Sequence, residues 1–414
     1  MAANQHDDLI YDWNLREPAE SIPRKVTFDD ETLRDGLQNP SVRNPDLDEK
    51  RALVRLMDRL GIHTVNVGLP GAGDRHYVDC LALAQQIVDE KLSIVPNVAC
   101  RTLLNDVEPV RRMMDETGAP VLANCFIGSS PIRQYTEGWT LDKILSYIDT
   151  TLRWCADHEV PFALVTEDTT RSKPEDVERL YRHAIELGAE RLVVCDTCGH
   201  ATPEGTYSLI KFVREIADSS GRDVKVDWHG HRDRGLGEAN CIAAVRGGAD
   251  QIHGAALGVG ERAGNAAMDL ILVNFKLLGW IDNDLTALAE YCDFAAKALN
   301  IEIPNNYPVF GHDAFLTGTG VHAAAVIKAM RKNDNWLADR VYSGVPAADF
   351  GRKQEIGVGP MSGKSNVLFF LEQRGYDPNN EALVEAVFDC AKKSDHLLSS
   401  SELEAAIASF EGKN

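Results

Sequence analysis

Two rhythms of apolar and polar positions alternate along this chain. Short runs rich in β-branched residues read as strands: KVTFDD (25–30), HTVNVG (63–68), LSIVPNVA (92–99), PVLANCFIG (120–128), PFALVTE (161–167), RLVVCD (191–196), VKVDWHG (224–230) and ADQIHGAALG (249–258). Longer stretches with apolar residues at helical spacing lie between them, among them DEKRALVRLMDRLGI, VEPVRRMMDETGA, LDKILSYIDTTLRWCADHEV and PEDVERLYRHAIELGA. Several of these end in a Gly suited to a helix C-cap. Strands that alternate with helices demand a parallel sheet, and eight such runs predict an α/β fold of the closed (β/α)8 TIM-barrel type. A doubly wound open sheet is the alternative. No GxGxxG follows the first strand, which weakens a dinucleotide-binding reading.

The rhythm changes after about residue 280. LTALAEYCDFAAKALNI, NNYPVFGHDAFLTGTGVHAAAVIKAM, NNEALVEAVFDCAKKS and SSELEAAIASFEG read as helices joined by Gly/Thr-rich turns. The expected organisation is an N-terminal arm over 1–23, loosely held and ending at Pro23, a barrel over 24–280, and a smaller, mostly helical C-terminal appendage over 281–414.

Charge and composition narrow the partners. A net charge of −20 without any run of Lys and Arg speaks against nucleic acid, whose phosphates need clustered cations. The nine cysteines are scattered without CxxC pairs, as befits reduced thiols in a cytosol-like compartment. The N-terminus has neither the basic region nor the apolar run of a signal peptide, and nowhere do 18 apolar residues follow one another. A cytoplasmic protein without a membrane partner is expected.

The chemistry centres on KVDWHGHRDRG. His229 and His231 lie one pleat apart, so both imidazoles face the same side of a strand end and can grip one metal ion. A pair of hydrogen-bonded histidines is the plain alternative. In a barrel of this kind the C-terminal strand ends build the active site. That rule gathers Glu31, Thr32, Leu33, Arg34 and Asp35 after the first strand, Arg101 after the third, Glu167 and Asp168 after the fifth, and Asp196 and Thr197 after the sixth. Two histidines and a carboxylate suit a divalent ion acting as Lewis acid; Mg, Mn and Zn all remain open.

FDDETLRDGLQ (28–38), DTCGHATPEGT (196–206) and HGHRDRGLGEANCIAAVRGGADQIHGAALGVGERAGNAAMD (229–269) together resemble the isopropylmalate and homocitrate synthase group of the DRE-TIM metallolyase superfamily. The resemblance spans about residues 25 to 370, and the run ending in GERAGN is its most specific part. It implies a barrel enzyme that condenses an acyl-CoA, here acetyl-CoA, with a 2-oxo acid. It also implies that Asp35, His229, His231 and Asn265 bind the metal, that Arg34 stabilises an enolate oxygen, and that Thr197 holds the acceptor's carboxylate. Glu261 belongs to the same motif, although Glu261, Arg262 and Asn265 also fit a capped, salt-bridged helix start.

The appendage resembles that of the synthases rather than the lyases of the superfamily. GHDAFLTGTGVHAAAV, with His312 and His322, is similar to their HxSGIH segment, Tyr342 falls where they have a tyrosine, and GVGPMSGKSNVLFFLEQRGY resembles a further stretch of theirs. The resemblance implies a homodimer whose C-terminal region lies over the partner's barrel, with His322 and Tyr342 as candidates for proton transfer. Glu167 and His322 are both candidate bases. A leucine-regulatory domain after residue 414 is not expected.

Two departures from the family pattern bear on substrate choice. VNVGLP stands where IEVGFP is usual, so Asn66 replaces the glutamate of the family signature and cannot supply a counter-charge to Arg34. Ala163 and Val165 occupy the positions where homocitrate synthases grip a second carboxylate, which points to a 2-oxo acid with a neutral side chain. Arg133, in SSPIRQY, stands where the family often has histidine and could reintroduce a cation, although it reads first as an exposed loop arginine. The competing functions are a lyase or aldolase using the same metal ligands, and a homologue that binds a metabolite without turnover.

Overall fold

The computed structural model describes residues 9–15 and 24–412. Most of the expected N-terminal arm therefore lies outside the described residues. The chain divides into two compact units, one ending its first segment at Pro40 and continuing over Asp46–Ile271 and Leu278–Ile281, the other comprising Ser41–Pro45, Leu272–Leu277 and the chain from Asp282.

The first unit is a closed barrel of eight parallel strands in sequence order. These are β1 (Thr27–Asp30), β2 (Thr64–Asn66), β3 (Val95–Arg101), β4 (Leu122–Gly128), β5 (Phe162–Glu167), β6 (Arg191–Asp196), β7 (Lys225–Gly230) and β8 (Gln251–Gly254). Closure comes from β1 against β8, with Thr27 opposite Gln251 and Asp30 opposite Gly254. The helices between them are α1 (Leu47–Arg59), α2 (Asp74–Asp89), α3 (Leu104–Thr117), α4 (Pro131–Glu137), α5 (Leu141–Asp157), α6 (Pro174–Leu187), α7 (Pro203–Ser219) and α8 (Gly237–Gly247).

Helix α6 shows how the pattern becomes structure. Pro174 opens it where the missing N–H costs nothing, and Val177, Leu180, Tyr181, Ala184 and Ile185 make the buried stripe. Gly188 then ends it in the left-handed region at φ 112°. Each large apolar side chain buried in this way contributes about 1.5–3 kcal/mol.

Several strands carry polar side chains into the barrel lumen. Asn97 donates to Asp29 at 2.6 Å, Asn124 to Asn97 at 2.9 Å and Gln251 to Thr64 at 2.8 Å, while Arg191 grips Asp227 at 2.6 and 2.7 Å. Burial in the lumen is tolerable because these groups bond to one another across strands. An apolar patch on β4, β5 and β6 joins Ala163, Val193 and Cys195 with Leu122 and Val165.

The second unit is mostly helical, and one of its apolar clusters joins Val358, Val367, Phe370, Leu371, Leu383, Val384, Val387, Ala391, Leu403 and Ile407. A short parallel pair, Leu316–Thr317 with Glu355–Ile356, is its only sheet among the described residues. No described helix is long and apolar enough to cross a membrane.

Candidate active site

At the C-terminal ends of the strands, residues distant in sequence converge. Asp35 lies in the tight turn after β1, His229 near the end of β7 and His231 just beyond it. One Asp35 carboxylate oxygen sits 3.3 Å from His229 Nε2 and 3.6 Å from His231 Nε2, and one ligand atom from each of the three lies within 4.8 Å of the others. Asn265, buried at 1 % exposure, forms a backbone bridge to His231 and donates its amide to Val259 O at 3.0 Å.

The donor set fits a divalent cation. Asp35 Oδ1 and Asn265 Oδ1 are buried acceptors without any donor, a deficit of about 1–3 kcal/mol each that a cation would remove. Burial lowers the His229 pKa against the pull of Asp35 and Glu31, which keeps the imidazole neutral and its lone pair available. A neighbouring group, Glu31, His229 and His253, also has ligand-like spacing. There, burial disfavours the His253 cation, yet Asp29, Asp227 and Glu31 push its pKa up to about 10. The resulting imidazolium has no lone pair to offer.

Arg34 lies beside the Asp35 carboxylate. Its guanidinium donates to Glu31 Oε2 from Nε at 2.9 Å and from Nη2 at 2.7 Å, and approaches Asp35 Oδ2 from Nη1 at 3.2 Å. Burial works against its charge, but Glu31 and Asp35 hold it protonated. Asn66 plays no part in this fork; its side-chain oxygen accepts from Gly68 N at 3.3 Å. Glu31 thus supplies the counter-charge that Asn66 lacks. Burial alone would raise the Glu31 pKa, but Arg34, His253 and His229 bring it down to about 2.

The remaining candidates fall into distinct settings. Thr197 Oγ1, just past β6, accepts from the Asp168 amide at 2.8 Å. Glu167 ends β5, and its burial raises its pKa despite Arg133 and Arg34. Arg133 is not on a loop: Ser130 caps helix α4, and the Arg133 guanidinium on that helix comes within 4.0 Å of Glu167 and 3.2 Å of Glu137. Gly128 makes room for it, because a Cβ there would lie 2.4 Å from Arg133 Cγ. Arg101 closes a bidentate pair with Asp106 at 2.9 and 2.7 Å. Ala163 and Val165 belong to the apolar patch. His322 and Tyr342, in the second unit, stack with ring centroids 4.3 Å apart.

The GERAGN segment is a loop rather than a helix start. Arg262 pairs with Asp233 at 2.9 Å and donates to Thr197 O, while Glu261 is largely exposed with Arg262 Nη1 at 3.5 Å. Three non-glycine residues near the site adopt left-handed backbone: Asp168 at φ 60°, Leu257 at 54° and Arg262 at 57°. Such strain persists where the surroundings over-determine it, and it recurs at binding loops. His253 escapes sequence reasoning as a partner of the site, since its role depends on contacts across strands with Asp29, Glu31 and Asp227. Glu31 is gathered at the site by its position after the first strand, but its role as the partner of Arg34 is not legible there.

Comparison with known proteins agrees with this geometry. The HMGL-like family model matches residues 25–295. Homocitrate synthase AksA of Methanopyrus kandleri is 31 % identical over 372 residues, covering 88 % of this chain and 87 % of that protein. A 2-isopropylmalate synthase of Halothermothrix orenii is 28 % identical over 380 residues, covering 90 % and 70 %. Among solved structures, the HMG-CoA lyase of Bacillus subtilis superposes with a TM-score of 0.56 at 19 % identity, over 68 % of this chain and 96 % of that one, a likeness of fold. With a closed eight-stranded barrel, the Asp35–His229–His231 cluster at its mouth and a family match over most of its length, this chain belongs to the HMGL-like family of DRE-TIM metallolyases.

Proposed function

We propose that this chain is an acyltransferase of the 2-isopropylmalate synthase type, condensing acetyl-CoA with a 2-oxo acid to give a 2-hydroxy dicarboxylic acid and CoA. The observation that carries the reading is the Asp35, His229 and His231 cluster beside the Arg34 guanidinium. A divalent ion held by Asp35, His229, His231 and Asn265 would supply Lewis-acid polarisation of the acceptor's keto group.

The side chains divide the remaining work. Thr197, whose hydroxyl accepts from Asp168, has its own proton to donate to the acceptor's carboxylate. Arg34 stabilises the negative charge that grows on the keto oxygen during attack. A base takes a proton from the acetyl methyl, the carbanion forms the new C–C bond at the keto carbon as its C=O π bond opens, and the resulting oxyanion takes up a proton to become the 2-hydroxyl. Water then cleaves the thioester, and CoA leaves as the free thiol. Glu167, with its raised pKa, and His322 are the candidate bases. The apolar patch at Ala163 and Val165 favours a monocarboxylic acceptor with an aliphatic or aromatic side chain. In the proposed homodimer the appendage, with His322 and Tyr342, reaches over the partner's barrel.

The test is release of free thiol from acetyl-CoA in the presence of Mg, Mn or Zn and a panel of 2-oxo acids. Turnover with pyruvate, 2-oxoisovalerate or an arylpyruvate and none with 2-oxoglutarate is expected. Silence across the panel, with metal bound, would favour a binding protein. Cleavage of a 2-hydroxy acyl-CoA without condensation would favour a lyase.

A further inference from the structure

We infer that Glu31 is the positioning residue that keeps the Arg34 guanidinium from capturing Asp35, and so leaves Asp35 available to a divalent cation. The inference rests on the metal-centre reading above.

Arg34 has two carboxylates within reach. Glu31 takes Nε and Nη2 along one edge of the fork, while Asp35 meets only Nη1, at the longer distance of 3.2 Å. Both carboxylates are buried, at 2 % and 3 % exposure, so neither can exchange the guanidinium for water. Without the Glu31 charge, Asp35 becomes the best remaining anion for Arg34, and a planar guanidinium pairs most strongly with a carboxylate by taking both oxygens. Those are the oxygens a cation needs. Glu31 Oε1 and His229 Nδ1 are 3.8 Å apart, too far for a hydrogen bond, so apart from its charge Glu31 reaches the ligands by contact only through Arg34.

The strand register shows where else this carboxylate could stand. β1 pairs with β2 through Asp29 opposite Thr64 and Asp30 opposite Val65, and continuing that register by one step past the end of β1 would set Glu31 opposite Asn66. Asn66 is buried and neutral, at the position where the family resemblance places a glutamate. A carboxylate moved across this pair, from β1 to β2, should serve Arg34 as well.

The experiment is Mn2+ affinity, read from the free-ion EPR signal without turnover, on the full chain and on Glu31→Gln, Arg34→Gln, the two combined, and Glu31→Gln with Asn66→Glu. Glu31→Gln is expected to weaken Mn2+ binding by roughly 10–100-fold, the scale for groups that orient metal ligands. In the Arg34→Gln background the same change should alter affinity by no more than about twofold, the limit of additivity. Adding Asn66→Glu should restore most of the loss. Should Glu31→Gln not fold, Glu31→Asp, which keeps the charge but shortens the reach, is expected to show an intermediate loss. An equal loss with and without Arg34 would make Glu31 a mere negative charge, and no loss at all would remove its role; either result overturns the inference. Asp35→Ala separates the two layers: unchanged Mn2+ affinity there refutes the metal centre itself, whereas lost affinity there with an inert Glu31→Gln refutes only the role of Glu31.

Discussion

Replacing Arg34 by Gln removes a guanidinium that borders both Glu31 and Asp35, and the structure sets the scale of the damage. Three nitrogen–oxygen contacts between 2.7 and 3.2 Å are lost, two of them to Glu31. Glu31 keeps only His253, at 3.2 Å, as a close charged partner. Breaking a buried ion pair by deleting one member costs 3–5 kcal/mol, and the surviving His253 contact places this case at the lower end, about 3 kcal/mol. For a barrel unit of this size that corresponds to a fall in melting temperature of roughly 6–12 °C. Losing a donor aimed at a developing oxyanion lowers kcat by about 100- to 1,000-fold. A thiol-release assay at saturating acetyl-CoA, paired with a thermal melt, reads both effects. Thiol release unchanged within error, with an unaltered melt, would refute the role assigned to Arg34. A large stability loss with normal kcat would reduce it to a structural residue.

Three other outcomes are expected. Activity should fall on the acid side as pH drops through the raised pKa of Glu167, because the base is lost when protonated; Arg133 opposes that rise, so Arg133→Gln should move the limb to higher pH, and Glu167→Gln should abolish it. Gly264→Ala should cost about 1–3 kcal/mol and weaken Mn2+ binding, since Gly264 sits at φ 96° with its would-be Cβ 1.9 Å from Gly258 O, beside Asn265. Arg191→Met strands the buried Asp227 and should lower stability in chemical denaturation by about 3 kcal/mol at neutral pH. Burial raises the Asp227 pKa, but Arg191 and His253 outweigh it and lower it, so the pair's contribution is present above the unfolded carboxylate pKa and fades as pH falls. The variant's deficit should therefore shrink in acid.

The barrel was legible because the β-branched runs and the helical stripes are local signals that the packing reinforces. Boundaries shifted where local sequence is ambiguous: the expected strand at 249–258 is Gln251–Gly254 followed by a tight turn through Ala256–Gly258. The triad was legible because HxH and LRDG set side-chain direction within a few residues of a strand end. Its surroundings were not. Glu31 and Arg34 are only three positions apart, but their pairing needs the turn after β1 to fold the guanidinium back, and His253 meets Glu31 across 222 positions of sequence. The polar lumen was hidden for the same reason, since Arg191 finds Asp227 only after β6 pairs with β7. Arg133 was misread because SSPIRQY resembles a loop, whereas the Ser130 cap and Pro131 start a short helix that carries the guanidinium to Glu167.

The most direct test of the account is an anomalous difference map from crystals soaked in Mn2+. One peak should lie within about 2.3 Å of ligand atoms from Asp35, His229 and His231, and it should vanish in His231→Ala. A peak among Glu31, His229 and His253, or none at the barrel mouth, would contradict it.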